Sequence, residues 1–400
     1  MFTRAVQRVF SIALIAGVIL GLVPPMEAQT GLGTDQKASI FSIGKVEGLV
    51  LEELAADGEA DFFVWMADKA DLSPADHLKT KYEKGQFVFH TLYTTAERTQ
   101  KDLHALLDHD GVEYRAFYIA NKILVHSGDQ GLLMTLAARA EVAAITANHK
   151  YQLGEPVTKT VVTDSANAVE PNLTFINADD VWAMGINGAD TVLAGNDTGL
   201  DEMHLAIAPH YRGCLNPPAC SSWDHNYNWW DATGTYPDEP HDGHGHGTHT
   251  TGIMVGDDDA GNQLGVAPGA QTIHCKNMTD GGGGDDSTFT ECFQWDLAPW
   301  DLNGQNPRPD LAPDAVNNSW GYWGGNQPLF KDEIQALHAA GILVEVSAGG
   351  EGSACATMRS PADYWEVLTT GAVDQTDPFP GTLSGFSARG PSELDGNYFP

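Results

Sequence analysis

A strand that ends in a carboxylate is the first feature of this sequence that could carry chemistry. Residues 191–195 are mostly apolar and predict a buried strand, and Asp197-Thr198-Gly199 follows it closely. A carboxylate in this position can be buried, held by turn amides, and used to orient a histidine and stabilise its protonated form. An aspartate that caps its own turn has the same appearance, so the motif alone leaves both interpretations open.

Three histidines lie close together in a glycine-rich segment over residues 241–252: His244, His246 and His249. A histidine beside a carboxylate is the natural general base near neutral pH, and the residues that follow predict a helix that would fix its ring. The same side chains could ligate zinc, although the HExxH pattern is absent, or could be ordinary loop residues. The residue types alone leave all three roles open.

Two more predicted strand ends carry small or polar residues. Residues 317–321 (Asn-Asn-Ser-Trp-Gly) could pair with an extended peptide backbone or simply end a strand. Residues 344–352 form an apolar strand that opens into Ser-Ala-Gly-Gly at 347–350, which could line a pocket wall or be a flexible turn.

The candidate segments need a framework, and the sequence predicts alternating strands and helices. Strands are predicted over residues 191–195, 314–317 and 341–347, with helical segments such as residues 329–340 between them. Strands that alternate with helices form parallel sheets, which place functional loops at the carboxyl ends of the strands. We therefore expect an α/β fold with the candidate residues along one edge of its sheet.

A separate α+β arrangement is predicted over about residues 60–155. Its expected strands cover residues 62–66, 112–119, 122–126 and 142–151. Two helical patterns lie between them, the first starting at a capping box formed by Thr94 and Glu97. The order β-α-β-β-α-β is that of ferredoxin-like domains. Residues 29–60 are expected to be weakly structured.

The first 28 residues have the pattern of a secretory signal peptide. Arg4 and Arg8 accompany an apolar run over residues 9–23, and a proline pair and Ala28 follow. The run is short for a transmembrane helix, so we expect a secreted, extracellular protein without stable membrane insertion.

The charge composition of the chain limits the classes of molecule that it could bind. Lys and Arg total 21 against 54 Asp and Glu, a formal net charge of -33. Such a chain is repelled by phosphates, so no nucleic-acid partner is expected. The acidic triplet at residues 257–259 is either a solvated loop or a site for a structural calcium ion.

The sequence contains five cysteines. Because the predicted signal peptide implies secretion, we expect these cysteines to be in an oxidising environment where disulfides form. Cys214 with Cys220, and Cys275 with Cys292, are candidate pairs, and Cys355 is left over. Sequence alone does not determine the pairing.

Taken in order, these motifs resemble those of the subtilisin-like serine proteases (subtilases, peptidase family S8), in their bacillopeptidase F-like group. The resemblance covers most of residues 176–400. It rests on Asp-Thr-Gly at 197–199, His-Gly-Thr-His at 246–249, Asn-Ser-Trp-Gly at 318–321 and Phe-Ser-Ala-Arg-Gly-Pro at 386–391. It implies a subtilisin-like parallel sheet flanked by helices and incomplete at its C-terminal end, preceded by a ferredoxin-like, inhibitor I9-like propeptide.

The resemblance also implies roles for single residues. Asp197 corresponds to the orienting acid and His246 to the general base, with His244 and His249 as flanking residues. Ser319, Trp320 and Gly321 correspond to one edge that pairs with substrate backbone, and Ser347, Ala348 and Gly349 to the other wall of the primary pocket. The family's chemistry needs no metal or other cofactor, which leaves the zinc interpretation without support.

Two departures from the family pattern stand out. No Gly-Thr-Ser segment, which carries the family's nucleophile, occurs in the 400 residues. Ser384, Ser387 and Ser392 do not fit, because the nucleophile should open a long helix. We therefore expect a fragment that ends before the nucleophile. The family's oxyanion asparagine falls at Gly350, and losing that donor costs about 10²–10³ in rate, a value known from subtilisin.

The expected organisation is a signal peptide (1–28), a propeptide (29–155), a linker with a processing site (156–175) and a truncated catalytic domain (176–400). The expected function is that of a secreted serine endopeptidase with an Asp-His-Ser triad, which cuts polypeptide substrates and is inhibited by its own propeptide. The alternatives are a non-catalytic, subtilase-like peptide-binding protein and a free inhibitor built on residues 60–155.

Overall fold

Two β-sheets of different kind organise the chain. The computed structural model describes residues 44–154, 169–321, 324–374 and 380–392. From Val46 onward the chain forms one compact unit, in which an N-terminal layer (residues 46–154) packs against a C-terminal layer (residues 169–392). The predicted signal peptide (1–28), and residues 156–168 of the predicted linker (156–175), lie outside the described residues.

The N-terminal layer is a four-stranded antiparallel sheet with helices. Its elements are α1 (Gly48–Asp57), β1 (Glu59–Met66), α2 (Lys81–Asp110), β2 (Tyr114–Phe117), β3 (Lys122–Asp129), α3 (Gln130–Ala137) and β4 (Val142–Ala147). The strand order β2-β3-β1-β4 confirms the predicted ferredoxin-like arrangement.

Two helices of this layer differ from their predictions. Helix α2 begins at Lys81, because Thr80 and Glu83 form the capping box. Thr94 lies inside the helix and donates its hydroxyl to the carbonyl of His90 instead. Helix α1 occupies residues that were expected to be weakly structured, and its Val50 side chain is fully buried against the layer's core.

The C-terminal layer is built on a parallel sheet, as predicted. Its elements are α4 (Pro171–Phe175), α5 (Ala178–Ala183), β6 (Val192–Asp197), β7 (Trp229–Asp231), α6 (His246–Val255), β8 (Gln271–Lys276), β9 (Gly283–Asp285), α7 (Asp286–Leu297), β10 (Ala315–Asn318), α8 (Lys331–Ala339), β11 (Leu343–Ser347), β12 (Leu368–Thr370), β13 (Val373–Asp374) and β14 (Thr382–Leu383), with β5 (Lys150–Gln152) preceding them. Six strands pair in parallel in the order β12-β11-β10-β6-β8-β7.

The predicted strand over residues 142–151 is in fact two strands in different sheets. β4 completes the N-terminal sheet, whereas β5 pairs antiparallel with β9 of the C-terminal layer. The end of the N-terminal layer is therefore anchored on its neighbour.

The C-terminal layer also includes residues 169–175, which belong to the predicted linker. Val169 bridges to Gln263, and Pro171 opens helix α4, where a missing backbone N–H costs nothing. The disulfides Cys214–Cys220 and Cys275–Cys292 confirm both candidate pairs, and Cys355 is exposed.

Candidate active site

The predicted site residues meet at the carboxyl ends of the parallel strands. β6 ends at Asp197, β10 ends just before Ser319, and β11 ends at Ser347. Because these strands are parallel neighbours, their ends lie on one edge of the sheet.

Asp197 is fully buried and engaged on both carboxylate oxygens. Oδ1 accepts the backbone N–H of Thr198 at 2.7 Å and faces Nδ1 of His246 at 2.7 Å. Oδ2 accepts the hydroxyl of Thr250 at 3.3 Å. Burying a carboxylate costs free energy unless hydrogen bonds compensate, and these bonds hold the Asp197 side chain in one orientation.

His246 is the first residue of helix α6, which fixes its backbone. With Nδ1 bonded to Asp197, Nε2 is the nitrogen that can take up a proton. Burial opposes protonation, but the hydrogen bond and charge of Asp197, with the charge of Asp242, outweigh it and raise the pKa of His246 above its ordinary value. The pair has the geometry of a general base with its orienting acid.

Asp242 organises the loop before the histidine, a role that the sequence analysis missed. Its carboxylate accepts the backbone N–H of Gly245 at 2.8 Å, and both the N–H and the hydroxyl of Thr248 at 2.8 and 2.7 Å. It also accepts the hydroxyl of Thr198 at 2.9 Å, whose oxygen accepts the N–H of Gly247 at 3.0 Å. An aspartate shortly before a helix start is the signal that would have found it.

Glycine is required where the segments that carry Asp197 and His246 touch. A Cβ atom on Gly199 would overlap the carbonyl of His241, and one on Gly247 would overlap the carbonyl of Gly199. Gly199 also has a φ of 127°, which other residues rarely adopt. The glycines thus let the backbones approach closely enough for the Asp197–His246 bond.

The segment Ser319-Trp320-Gly321 contributes its backbone to the site, while its tryptophan side chain belongs to the core. Trp320 is 2% exposed, and its indole N–H donates to the carbonyl of Asn196 at 3.1 Å. Its ring centroid lies 4.2 Å from that of Phe289. The side chain therefore supports the strand end from below.

The opposite segment, Ser347-Ala348-Gly349, is held by neighbouring backbone. The N–H of Ala348 donates to the carbonyl of Thr370 at 2.9 Å, and the carbonyl of Gly349 accepts from Ala388 at 3.0 Å. At Gly350, an added Cβ would meet no described atom within 4 Å. The position has room for a side chain.

The end of the N-terminal layer reaches the same edge. The hydroxyl of Tyr151 lies 3.4 Å from the N–H of Gly321, and burial raises the pKa of Tyr151 to about 12. The N–H of Leu153 donates to the carbonyl of Gly282 at 2.8 Å. Residues 151–153 thus lie along the candidate site as an extended chain.

No cluster of three or more His, Cys, Asp or Glu side chains suited to a metal ion occurs in the described part of the chain. In the acidic triplet, the carboxylate of Asp258 binds the backbone N–H groups of Ala260 and Asn262 at 2.9 and 3.0 Å. These bonds hold residues 258–262 together as a loop.

Comparison with known proteins identifies the family. The model of the subtilase family matches residues 188–398, which contain both Asp197 and His246. The chain belongs to the subtilase family. Bacillopeptidase F of Bacillus subtilis (strain 168) is 36% identical to this subtilase over 347 residues. Subtilisin DY of Bacillus licheniformis is 29% identical over 211 residues.

These relatives are longer than the aligned region. The bacillopeptidase alignment covers 82% of this chain and 23% of the relative, and the subtilisin alignment covers 52% and 66%. Among the helices that the structure describes, none is long and apolar enough to cross a membrane.

Proposed function

We propose that this subtilase chain is the front part of a secreted serine endopeptidase that cuts polypeptide substrates. Asp197 and His246 would be two members of its triad, and a serine outside the 400 residues would be the third. The observation that carries the proposal is the 2.7 Å contact between His246 Nδ1 and a fully buried Asp197.

In the proposed reaction, the serine oxygen attacks the peptide carbonyl carbon while its proton moves to Nε2 of His246. Asp197 keeps the Nδ1–H oriented and stabilises the imidazolium. The same Nε2 proton then goes to the leaving amine as the C–N bond breaks, leaving an acyl-enzyme. A water molecule, deprotonated by His246, releases the acid and restores the serine.

Residues 29–155, of which the structure describes residues 44–154, would act as an inhibitory propeptide on this enzyme and would be cut within the linker of residues 156–175. The pairing of β5 with β9 and the contact of Tyr151 with Gly321 support this role, since both hold the end of the layer along the candidate site. Inhibition until processing would protect the cell before secretion. A structural calcium ion stays a prediction.

The test is peptidase activity of the full-length protein with His246→Ala. We expect at least about a 10⁴-fold loss of kcat, because no other group takes the serine proton. The matched control is the exposed neighbour His249→Ala, which should retain activity. Unchanged activity in His246→Ala would overturn the proposal. Peptide binding without cleavage in the unmodified protein would favour the non-catalytic alternative.

Gly350→Asn tests the oxyanion departure in the same protein. Gly350 has no positive φ and space for a side chain, so the substitution should fold without strain. If the position serves the oxyanion, we expect kcat to rise by about 10²–10³. Gly350→Ala, which adds a Cβ without a donor, is the control. Equal kcat in both variants would show that another group already fills the role.

A further inference from the structure

Six ion pairs between described side chains join the two layers, and all six have the same polarity. In each, the cation lies on the N-terminal layer and the carboxylate on the C-terminal layer. The pairs are Lys69–Asp332, Lys81–Asp314, Arg115–Glu291, Lys122–Glu333, His149–Asp286 and Lys150–Asp285. A surface assembled by apolar packing alone would have no reason for this uniform direction.

The pairs range from the rim to the centre of the shared face. Lys122 and Glu333 lie 2.6 Å apart with side chains 1% and 0% exposed. Glu333 also accepts the hydroxyl of Thr290 at 3.1 Å. At the rim, the side chains of Lys69 and Asp332 are 51% and 33% exposed. Removing one partner of a central pair leaves the other charge buried and unpaired, which is strongly destabilising. A pair at the rim can be altered with little effect on the fold, because its charges are partly solvated.

The composition of each layer shows that this placement is selective. Residues 169–392 contain 6 Lys and Arg against 31 Asp and Glu, whereas residues 46–154 contain 10 against 17. The N-terminal layer is therefore acidic overall. Five of its 10 basic residues nevertheless lie in the ion pairs described above, Lys69, Lys81, Arg115, Lys122 and Lys150.

We propose that the covered face of the C-terminal layer is an anionic docking surface that recognises residues 46–154 by charge. This deepens the proposed function, since it rests on these residues being a propeptide that is cut from the chain. Charge placement would then let the enzyme distinguish its own propeptide from a domain of the same shape without these cations.

The experiment uses the whole chain with a site for a sequence-specific protease placed within residues 155–168. After cutting, the C-terminal piece is immobilised and the release of the N-terminal piece is timed at 0.15 M NaCl. Lys69→Asp and Asp332→Lys should each speed release about threefold to tenfold, because attraction becomes repulsion. The double exchange restores an oppositely oriented pair and should return release close to that of the unmodified chain.

Arg98→Asp is the matched control, because Arg98 pairs with Asp68 inside the N-terminal layer and both are well exposed. It should leave release unchanged. The difference between Lys69→Asp and the unmodified chain should shrink at 1 M NaCl, where the Debye length is about 3 Å. Lys122→Met leaves Glu333 buried without its cationic partner and should speed release of the N-terminal piece about 10²-fold or more.

Equal release from the single and double variants at residues 69 and 332, or no release from any variant, would overturn the proposal. Recognition would then depend on shape and apolar contact. The rim variants decide the matter even if Lys122→Met fails to fold. None of these measurements needs peptidase activity, so a catalytically inactive protein would leave the result intact.

Discussion

The two layers differ in what they bury. The core of the N-terminal layer is a continuous apolar cluster that includes Phe62, Val64 and Leu103. The C-terminal layer buries, beside its apolar residues, titratable groups at strand ends and in α7, among them Asp197 and Asp296. Burying such groups costs free energy unless they are bonded. The N-terminal layer is therefore stabilised mainly by apolar burial, whereas the C-terminal layer holds the buried titratable groups that are suited to chemistry.

The largest expected effect tests whether catalysis depends on one buried carboxylate in particular. Asp197→Asn in the full-length protein should lower kcat about 10⁴-fold, because an amide no longer enforces the required tautomer of His246. Asp296→Asn is the matched control. Burial raises the pKa of Asp296 to about 8, so it is largely neutral at pH 7 and resembles asparagine. A similar loss in both variants would assign the effect to folding.

The next effect concerns the apolar layer. Phe62→Ala should lower the free energy of unfolding by about 3–5 kcal/mol, because the fully buried ring packs directly under Gly128. Urea titration measures the loss. Phe62→Leu leaves a smaller cavity and should cost less. Equal midpoints for all three proteins would contradict an apolar core that sets the stability of this layer.

A third test uses a histidine inside the C-terminal layer. His274 is fully buried, and among the described residues neither ring nitrogen has a hydrogen-bond partner. Burial lowers its pKa to about 4, against about 6.5 when unfolded. Unfolding then takes up a proton between these values, so about 3 kcal/mol of stability should be lost as pH falls from 6.5 to 4.

His274→Gln should remove this acid-sensitive part of the stability curve, measured by urea titration from pH 7 to 4. The exposed His338→Gln is the control and should keep it. An unchanged slope in His274→Gln would show that other groups govern the acid response.

The smallest expected effect concerns a histidine at the face between the layers. Here the free energy of unfolding should fall as pH rises, whereas for His274 it falls as pH drops. His149 Nδ1 faces Asp286 at 2.6 Å and Nε2 faces Glu47 at 2.9 Å. Burial opposes the charged ring, but the hydrogen bonds and charges of Asp286 and Glu47 outweigh it and raise the pKa of His149 to about 9. The contribution of the protonated His149 ring to the free energy of unfolding is therefore complete below pH 6.5 and is lost as pH rises through 9.

We expect about 2 kcal/mol of alkaline-sensitive stability, allowing for partial exposure. It appears as the difference between the unmodified chain and His149→Gln in urea titrations from pH 6 to 10. The exposed His90→Gln should show no such difference. A pH-independent gap between the first two proteins would mean that His149 acts by packing alone.

Much of the site was predictable because it depends on short motifs. Asp197 and His246 lie in short segments whose local structure, a strand end and a glycine-rich helix start, follows from the residues themselves. The expected roles of the two residues came from the order of the motifs along the chain, which resembles that of the subtilases. Strand and helix periodicity likewise predicted the ferredoxin-like order and the parallel sheet. Chain-local rules were sufficient for these elements, because neighbouring residues determine them.

Tertiary structure alone decided the contacts between distant residues. Lys122 reads as an ordinary strand residue in the sequence, and only the fold buries it against Glu333, 211 positions away. The same holds for Asp242 on Thr198 and for β5, which leaves its own sheet to pair with β9. The physical reason is that the energy of a buried charge or an added strand depends on its partner, and spacing along the chain does not specify that partner.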